Sequence, residues 1–384
     1  MSSQENIMLG DAQKGPADSQ LTAAEQIVKH YLDSITSFER NNNVEAASEI
    51  NKAILLDPWH VTTPLKYYRS CAKEGCKEKG EKFLEIYFTA RENSTYSSTG
   101  KVVNDYKNSR HVDYPSHMII ETLARCNAAC SFCQYPEILR KGEKMEMETI
   151  DNILDQLQAW LPSDLQFLVV YTGLNEPFLD KRIFDIMHKT KEKLPHALLQ
   201  INSNGTPLTK DNIERLSDAP IHSMSISLNE IKKERYEEVM KIPFDKTMKI
   251  IENVAEAVDK GKIPFPMGLT RAGTRTIEDL EFIEWCETKY PQLTRYFSPI
   301  FSWLGDEPPL GTVPNIGCPH WYELTIRADG QVAYCCLDGH IKHPKGNIHT
   351  TSLKEIYNAP ENRRLREEAP SRKDVSVCAN CAHG

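Results

Sequence analysis

Three cysteines crowd the stretch ETLARCNAACSFCQYPE, residues 121 to 137, at Cys126, Cys130 and Cys133. Thiols at that density serve disulfides, metal ions, redox exchange or iron–sulfur clusters. A closed zinc site takes four ligands, and only three are local here. A C-x-x-C oxidoreductase pair has no use for a third cysteine. Ferredoxin-type runs use other spacings and fill every iron of the cubane. Three thiolates on four irons leave one iron open, and an open metal position is a place for chemistry. The other cysteines are Cys71 with Cys76, lone Cys286, and a C-terminal group of Cys318, Cys335, Cys336, Cys378 and Cys381. In a chain whose thiols stay reduced, clustered cysteines hold metal or do redox work more often than they pair. The distribution suggests two metal sites and some spares.

Positioning the trio falls to a region of alternating strand and helix patterns. The runs HMIIETL, LQFLVVYTG, ALLQINSNG, HSMSISLN, FPMGLTR and RYFSPIF read as six strands, and five of them feed a helix-like stretch. That grammar predicts a parallel α/β sheet, either open or wound into a full or partial barrel. Ligands of such sheets gather at the C-terminal ends of the strands. The trio follows the first strand at that end. Later strands end on YTGLNEPFLD (Gly173, Asn175, Glu176, Pro177), NSNGTPL (Asn202, Asn204), SISLNE (Ser227, Asn229) and GLTRAGT (Arg271). Read alone, NSNG is also a turn signal with Gly205 at positive φ, and Arg271 also suits a surface ion pair.

Two further regions flank this unit. Residues 21 to about 96 read as helices, with Ala24, Ile27, Tyr31, Ile35 and Phe38 at spacings of three and four. VEAASEINKAILLDP resembles part of a tetratricopeptide unit, without a repeat in register. Cys71 and Cys76 read as buried thiols on one helix pointing in different directions, and Cys286 as a core thiol. After residue 310, WYELTIRADGQVAYCC reads as a hairpin turning at Asp329-Gly330. TSLKEIYNAPENRRLREEAP then reads as one helix, and the chain closes on CANC. The expected organisation is a disordered tail over 1–20, a helical domain over 21–112, the α/β unit over 113–309 and a small domain over 310–384.

With Asn127 after the first cysteine and Phe132 before the last, ETLARCNAACSFC resembles the cluster loop of the radical S-adenosylmethionine superfamily. The resemblance implies a partial (β/α)6 TIM-like barrel and a [4Fe–4S] cluster on Cys126, Cys130 and Cys133. It further implies that the open iron takes the amino and carboxylate groups of S-adenosylmethionine. Reductive cleavage then yields methionine and a 5′-deoxyadenosyl radical that abstracts a substrate hydrogen. Low cluster potentials suit that step. The same resemblance marks Phe132, Gly173, Asn175, Glu176, Asn202, Asn204, Ser227, Asn229 and Arg271 as cofactor-binding candidates. The family pattern at the second strand is Gly-Gly-Glu-Pro-like, and Leu174-Asn175 ahead of Glu176 departs from it.

The C-terminal cysteines, with GNIHTTSLKEIYN and CANC, resemble the SPASM/Twitch extension of such enzymes. That implies one auxiliary [4Fe–4S] cluster on Cys318, Cys335, Cys378 and Cys381. Cys336 could replace Cys335, pack as a small apolar residue, or act as a catalytic thiol that donates hydrogen. A four-thiolate zinc site is the other reading of the group.

The implied activity is oxidation or epimerisation of a sugar- or amino-cyclitol-like small molecule, fed by a low-potential donor such as flavodoxin or ferredoxin. The alternative is maturation of a ribosomally made peptide. A formal net charge of −8 is unlike that of a nucleic-acid-coating protein. No run of apolar residues is long enough to span a membrane, and the polar start lacks an export signal, so the expected location is cytoplasmic.

Overall fold

The computed structural model describes residues 21–300, 302–304 and 312–383. The tail expected over residues 1–20 and the boundary expected at 309/310 lie outside them. Two compact units divide at Ser94/Thr95. The helices of the first are α1 (Ala23–Glu39), α2 (Asn43–Leu56), α3 (Thr62–Lys73) and the first part of α4 (Lys77–Lys107). Thr22 starts α1 with a capping box: its hydroxyl accepts from the Glu25 amide at 3.3 Å, and Glu25 accepts from the Thr22 amide at 2.8 Å. Ile27 and Tyr31 are buried as expected, whereas Ala24 is exposed and Ser34 is buried in addition. Cys76 lies in the turn after α3 rather than on a helix with Cys71. Its amide donates to the Cys71 carbonyl at 2.9 Å, which brings the two thiols together instead of pointing them apart.

The second unit is built on β1 (His117–Ile120), α5 (Met147–Trp160), β2 (Phe167–Val170), α6 (Ile183–Lys193), β3 (Ala197–Ser203) and α7 (Lys210–Arg215). It continues through β4 (Ser223–Ser227), α8 (Lys233–Met240), α9 (Phe244–Asp259), β5 (Met267–Gly273), α10 (Ile277–Lys289) and β6 (Thr294–Pro299). The six strands lie side by side in chain order and all pair in parallel. A parallel sheet wound in one direction without reversal is the partial barrel. Its strands are apolar because helices cover them; β2, for example, is FLVV with three of its residues buried. α5 turns Ile150, Ile153, Leu154 and Leu157 into the core. Burying each contributes about 1.5–3 kcal/mol, and Leu154→Ala costs about 2–5 kcal/mol.

β7 (Glu323–Ile326), β8 (Gln331–Ala333) and β9 (Gly346–Asn347) extend the same sheet, in the order β6-β5-β4-β3-β2-β1-β7-β8-β9. β7 pairs in parallel with β1, His117 opposite Glu323, while β7 and β8 form the expected hairpin with Gly330 at φ +81°. Three short C-terminal strands thus continue the barrel's sheet. Their single expected helix is two, α11 (Leu353–Tyr357) and α12 (Pro360–Glu367), because Pro360 cannot continue α11 but suits the first turn of α12. Among the described residues, no helix is long and apolar enough to cross a membrane.

Candidate active site and cluster pockets

The cysteine trio sits in the loop leaving β1, with all three thiols half-buried at the C-terminal end of the sheet. Backbone amides aim at the sulfurs: Ala128 N–H reaches Cys126 Sγ and Tyr135 N–H reaches Cys133 Sγ, both at 3.4 Å. Asn204 Nδ2 stands 3.9 Å from Cys126 Sγ and donates to Asn127 Oδ1 at 2.9 Å. Asn127 in turn donates to Thr206 Oγ1 at 2.6 Å. The other side of the loop rests on the end of α8. Ser131 N–H donates to the Val239 carbonyl at 2.9 Å, and Cys130 Sγ lies 3.6 Å from Met240 Sδ. Burial pushes the Cys126 thiol up to about 11 and Cys130 to about 12, and raises Cys133. A metal-free trio is therefore protonated, and loading iron displaces those protons.

The turn after β2 packs against this loop, with Glu176 N–H donating to the Arg125 carbonyl at 2.8 Å. The Glu176 carboxylate is buried and accepts from Asn204 N–H at 2.7 Å, Ser203 Oγ at 2.8 Å and Phe178 N–H at 3.3 Å. Burial wins over those three donors and raises its carboxyl to about 7. One side chain thus pins the β2 and β3 turns together under the trio.

Several of the expected cofactor-binding residues make hydrogen bonds within the protein. Asn175 accepts from Gly173 N–H at 2.7 Å and braces its own turn. Asn202 Oδ1 accepts from Ser225 Oγ at 2.6 Å. Asn229, at φ +62°, accepts from Ala272 N–H at 2.7 Å and points its amide at Met240 Sδ at 3.0 Å. Arg271 is neither a surface pair nor a free cation. It is buried, with Nε 2.7 Å from Asp279 and Nη1 2.9 Å from Glu230. Ser227 is half-buried at the end of β4, and the Phe132 carbonyl accepts from Trp303 Nε1 at 3.0 Å.

A buried ionic knot ties this end of the sheet to the C-terminal module. Glu121 accepts from Arg140 Nε at 2.7 Å and Nη2 at 3.0 Å, and from the amides of Leu174 at 3.2 Å and Ala328 at 3.3 Å. Arg140 Nη1 continues to the Gly339 carbonyl at 2.7 Å. Nothing in the spacing of Glu121, Arg140 and Arg327 announces this; the parallel pairing of β1 with β7 creates it.

In the C-terminal module, Cys318, Cys335, Cys378 and Cys381 line one small pocket, walled by Leu304, Trp321, Tyr334 and Leu337 with His320 and Arg372. Four thiols with no carboxylate among the lining residues fit a thiolate-bound cluster. Cys336 does not line it. Its amide donates to Glu323 Oε1 at 2.8 Å and its sulfur lies 3.7 Å from His320 Nδ1. Glu323 opens β7 opposite His117, the end of β1 away from the trio. Both cysteines follow β8 in a bend and turn, and of the two only Cys335 is among the pocket's lining residues. Glu323 is buried between His117 Nε2 at 2.5 Å and His320 Nδ1 at 2.6 Å; despite burial, the two histidines hold its carboxyl well below the usual range.

A family model described as the radical SAM superfamily matches residues 120–282, and one described as an iron–sulfur cluster-binding domain, SPASM, matches residues 318–382. The chain belongs to the radical SAM superfamily. Its cofactors are a [4Fe–4S] cluster with S-adenosylmethionine and an auxiliary cluster. The iron–sulfur match replaces the zinc reading of the C-terminal cysteines. Among curated relatives, the probable GTP 3′,8-cyclase of Methanothermobacter marburgensis is 31% identical over 117 residues, 30% of this chain and 36% of the relative. The chain thus spans about a third of that relative's length. Among solved structures, anSMEcpe with bound AdoMet aligns with TM-score 0.52 at 14% identity, over 65% of this chain and 82% of that one. SuiB of Streptococcus suis, bound to precursor peptide SuiA, aligns with TM-score 0.51 at 16% identity, over 83% and 82%. At those identities the likeness is one of fold.

Proposed function

We propose that this radical SAM protein oxidises a carbon–hydrogen centre, alcohol to carbonyl, in a sugar- or amino-cyclitol-like small molecule. Cys126, Cys130 and Cys133 hold the first cluster, and Cys318, Cys335, Cys378 and Cys381 the auxiliary one. When bound, the first cluster and S-adenosylmethionine supply a hydrogen-abstracting radical. This chain's own residues hold and shape the site around it. Asn127, Asn204 and Thr206 fix the trio loop, Glu176 fixes the turn from Gly173 to Pro177, and Met240 closes the side under Cys130.

The observation that carries the reading is the pocket lined by four cysteines with Cys336 off it. Four thiolates occupy every iron of a cubane, so the auxiliary cluster accepts an electron and does not bind substrate. Removal of a hydrogen atom followed by loss of an electron and a proton is a net two-electron oxidation. Redox-neutral epimerisation wants a thiol beside the radical, and the Cys336 sulfur is turned to His320, 3.7 Å from its Nδ1. A low-potential donor of the flavodoxin or ferredoxin kind supplies the starting electron.

The test uses anaerobically loaded, reduced protein with S-adenosylmethionine and a panel of polyols, amino-cyclitols and peptides, some deuterated. Mass spectrometry should find 5′-deoxyadenosine carrying substrate deuterium and a product lighter by two hydrogens. A product of unchanged mass, or turnover of peptides alone, contradicts the proposal.

A further inference from the structure

Arg327, just beyond β7, is fully buried and its guanidinium faces two ways. Nη1 lies 3.7 Å from Glu121 Oε2 and would stand 3.0 Å from a Cβ at Gly173, whose missing side chain admits it. Nη2 donates to the carbonyls of Cys336 at 3.1 Å and Asp338 at 3.3 Å. The side chain therefore reaches from the Gly173–Pro177 turn to the residue next to Cys335, a thiol of the auxiliary pocket. Glu121 does not neutralise it alone, because Arg140 already engages both carboxylate oxygens. One carboxylate faces two guanidiniums. The buried Asp338 carboxylate turns to the amides of Lys342 at 2.8 Å and His343 at 3.0 Å instead. Arg327 Nε has no hydrogen-bond partner among the described residues.

A guanidinium does not give up its proton, and burying one with half a counter-ion costs several kcal/mol. A methionine of similar reach would fill the space without that cost, which draws attention to the charge itself. We propose that Arg327 is a positioning residue whose buried charge raises the reduction potential of the auxiliary cluster. The proposal rests on the reading of Cys318, Cys335, Cys378 and Cys381 as that cluster's ligands. One-electron reduction adds a negative charge to the site, and a fixed positive charge in low-dielectric surroundings favours the reduced form.

EPR-monitored anaerobic redox titration of the full-length, two-cluster protein tests this. Arg327→Gln should disfavour auxiliary-cluster reduction at least tenfold, about 59 mV lower for a one-electron couple. Arg327→Lys, which keeps the charge, should stay near the wild-type midpoint. Glu121→Gln, which removes the opposing charge, should move the midpoint upward, and it decides the matter if the Arg327 variants fail to load. An unmoved midpoint in Arg327→Gln or in Glu121→Gln overturns the proposal. So does an equal shift in Arg327→Gln and Arg327→Lys, which would mark a packing role. Iron and sulfide content separate the layers: a wild-type protein holding one cluster removes the underlying reading, whereas two clusters with unmoved midpoints remove this inference alone.

Discussion

Glu121→Ala is the sharpest perturbation of the barrel's upper end. Glu121 is fully buried, Arg140 is 7% exposed at its side chain and Arg327 1%. Removing the carboxylate strands both guanidiniums in the core and leaves the Leu174 and Ala328 amides without their acceptor. Breaking a buried pair by deleting one partner costs about 3–5 kcal/mol, and each orphaned amide pushes toward the upper part of that range. In a unit of this size, that lowers the melting temperature by roughly 10 °C. The assay is anaerobic scanning calorimetry of the loaded protein at one fixed scan rate, since unfolding with clusters present is irreversible. Glu121→Met should fall similarly, and adding Arg140→Met should recover part of the loss by removing one stranded charge. A Glu121→Ala protein melting within about 2 °C of wild type would refute the reasoning, because only hydrated charges are that cheap to unpair.

Cys335→Ala should lose one cluster's complement of iron while Cys336→Ala keeps both, as read by iron and sulfide analysis. Gly173→Ala places a methyl 3.0 Å from Arg327 Nη1 and 3.3 Å from Glu121 Oε2, and should cost about 1–3 kcal/mol by overpacking while weakening S-adenosylmethionine binding in equilibrium titration. Burial raises the Glu176 carboxyl to about 7, above its ordinary 4.5. Its contribution to stability is therefore fully present below pH 4.5 and lost as pH rises through 7, and the urea midpoint of wild type should fall relative to Glu176→Gln across that window. A wild-type-minus-variant difference that stays flat from pH 4.5 to 8 contradicts this assignment.

The strands, the trio loop and the C-terminal hairpin were legible because each is a local pattern: apolar runs of strand length, a fixed cysteine spacing, an Asp-Gly turn. What escaped was set by contacts distant in sequence. Arg271 stands at the end of a strand, as ligand-binding residues do, and its ion pairs with Asp279 and Glu230 carry no local signal. Asn175 and Asn229 sit in the expected turns but spend their side chains on backbone amides. α8, whose Val239 and Met240 support the trio, is marked in the sequence only by Tyr236 and Met240, four apart on its buried face. The parallel pairing of β1 with β7 carries no local signal, so neither the Glu121–Arg327 contact nor the shared sheet could be read from residues 310–384. Cys335 and Cys336 are indistinguishable as letters; the turn after β8 leaves only Cys335 among the residues lining the pocket.

The most direct test of two clusters on seven named cysteines is EPR, with iron and sulfide analysis, on anaerobically loaded and reduced protein. It compares wild type, a variant with Cys126, Cys130 and Cys133 changed to alanine, and a variant with Cys378 and Cys381 changed to alanine. Wild type should give two [4Fe–4S] signals, only one of them perturbed by S-adenosylmethionine. That signal should vanish in the first variant and persist in the second. A first variant that retains a signal responsive to S-adenosylmethionine, or zinc in place of iron at the C-terminal cysteines, would contradict it.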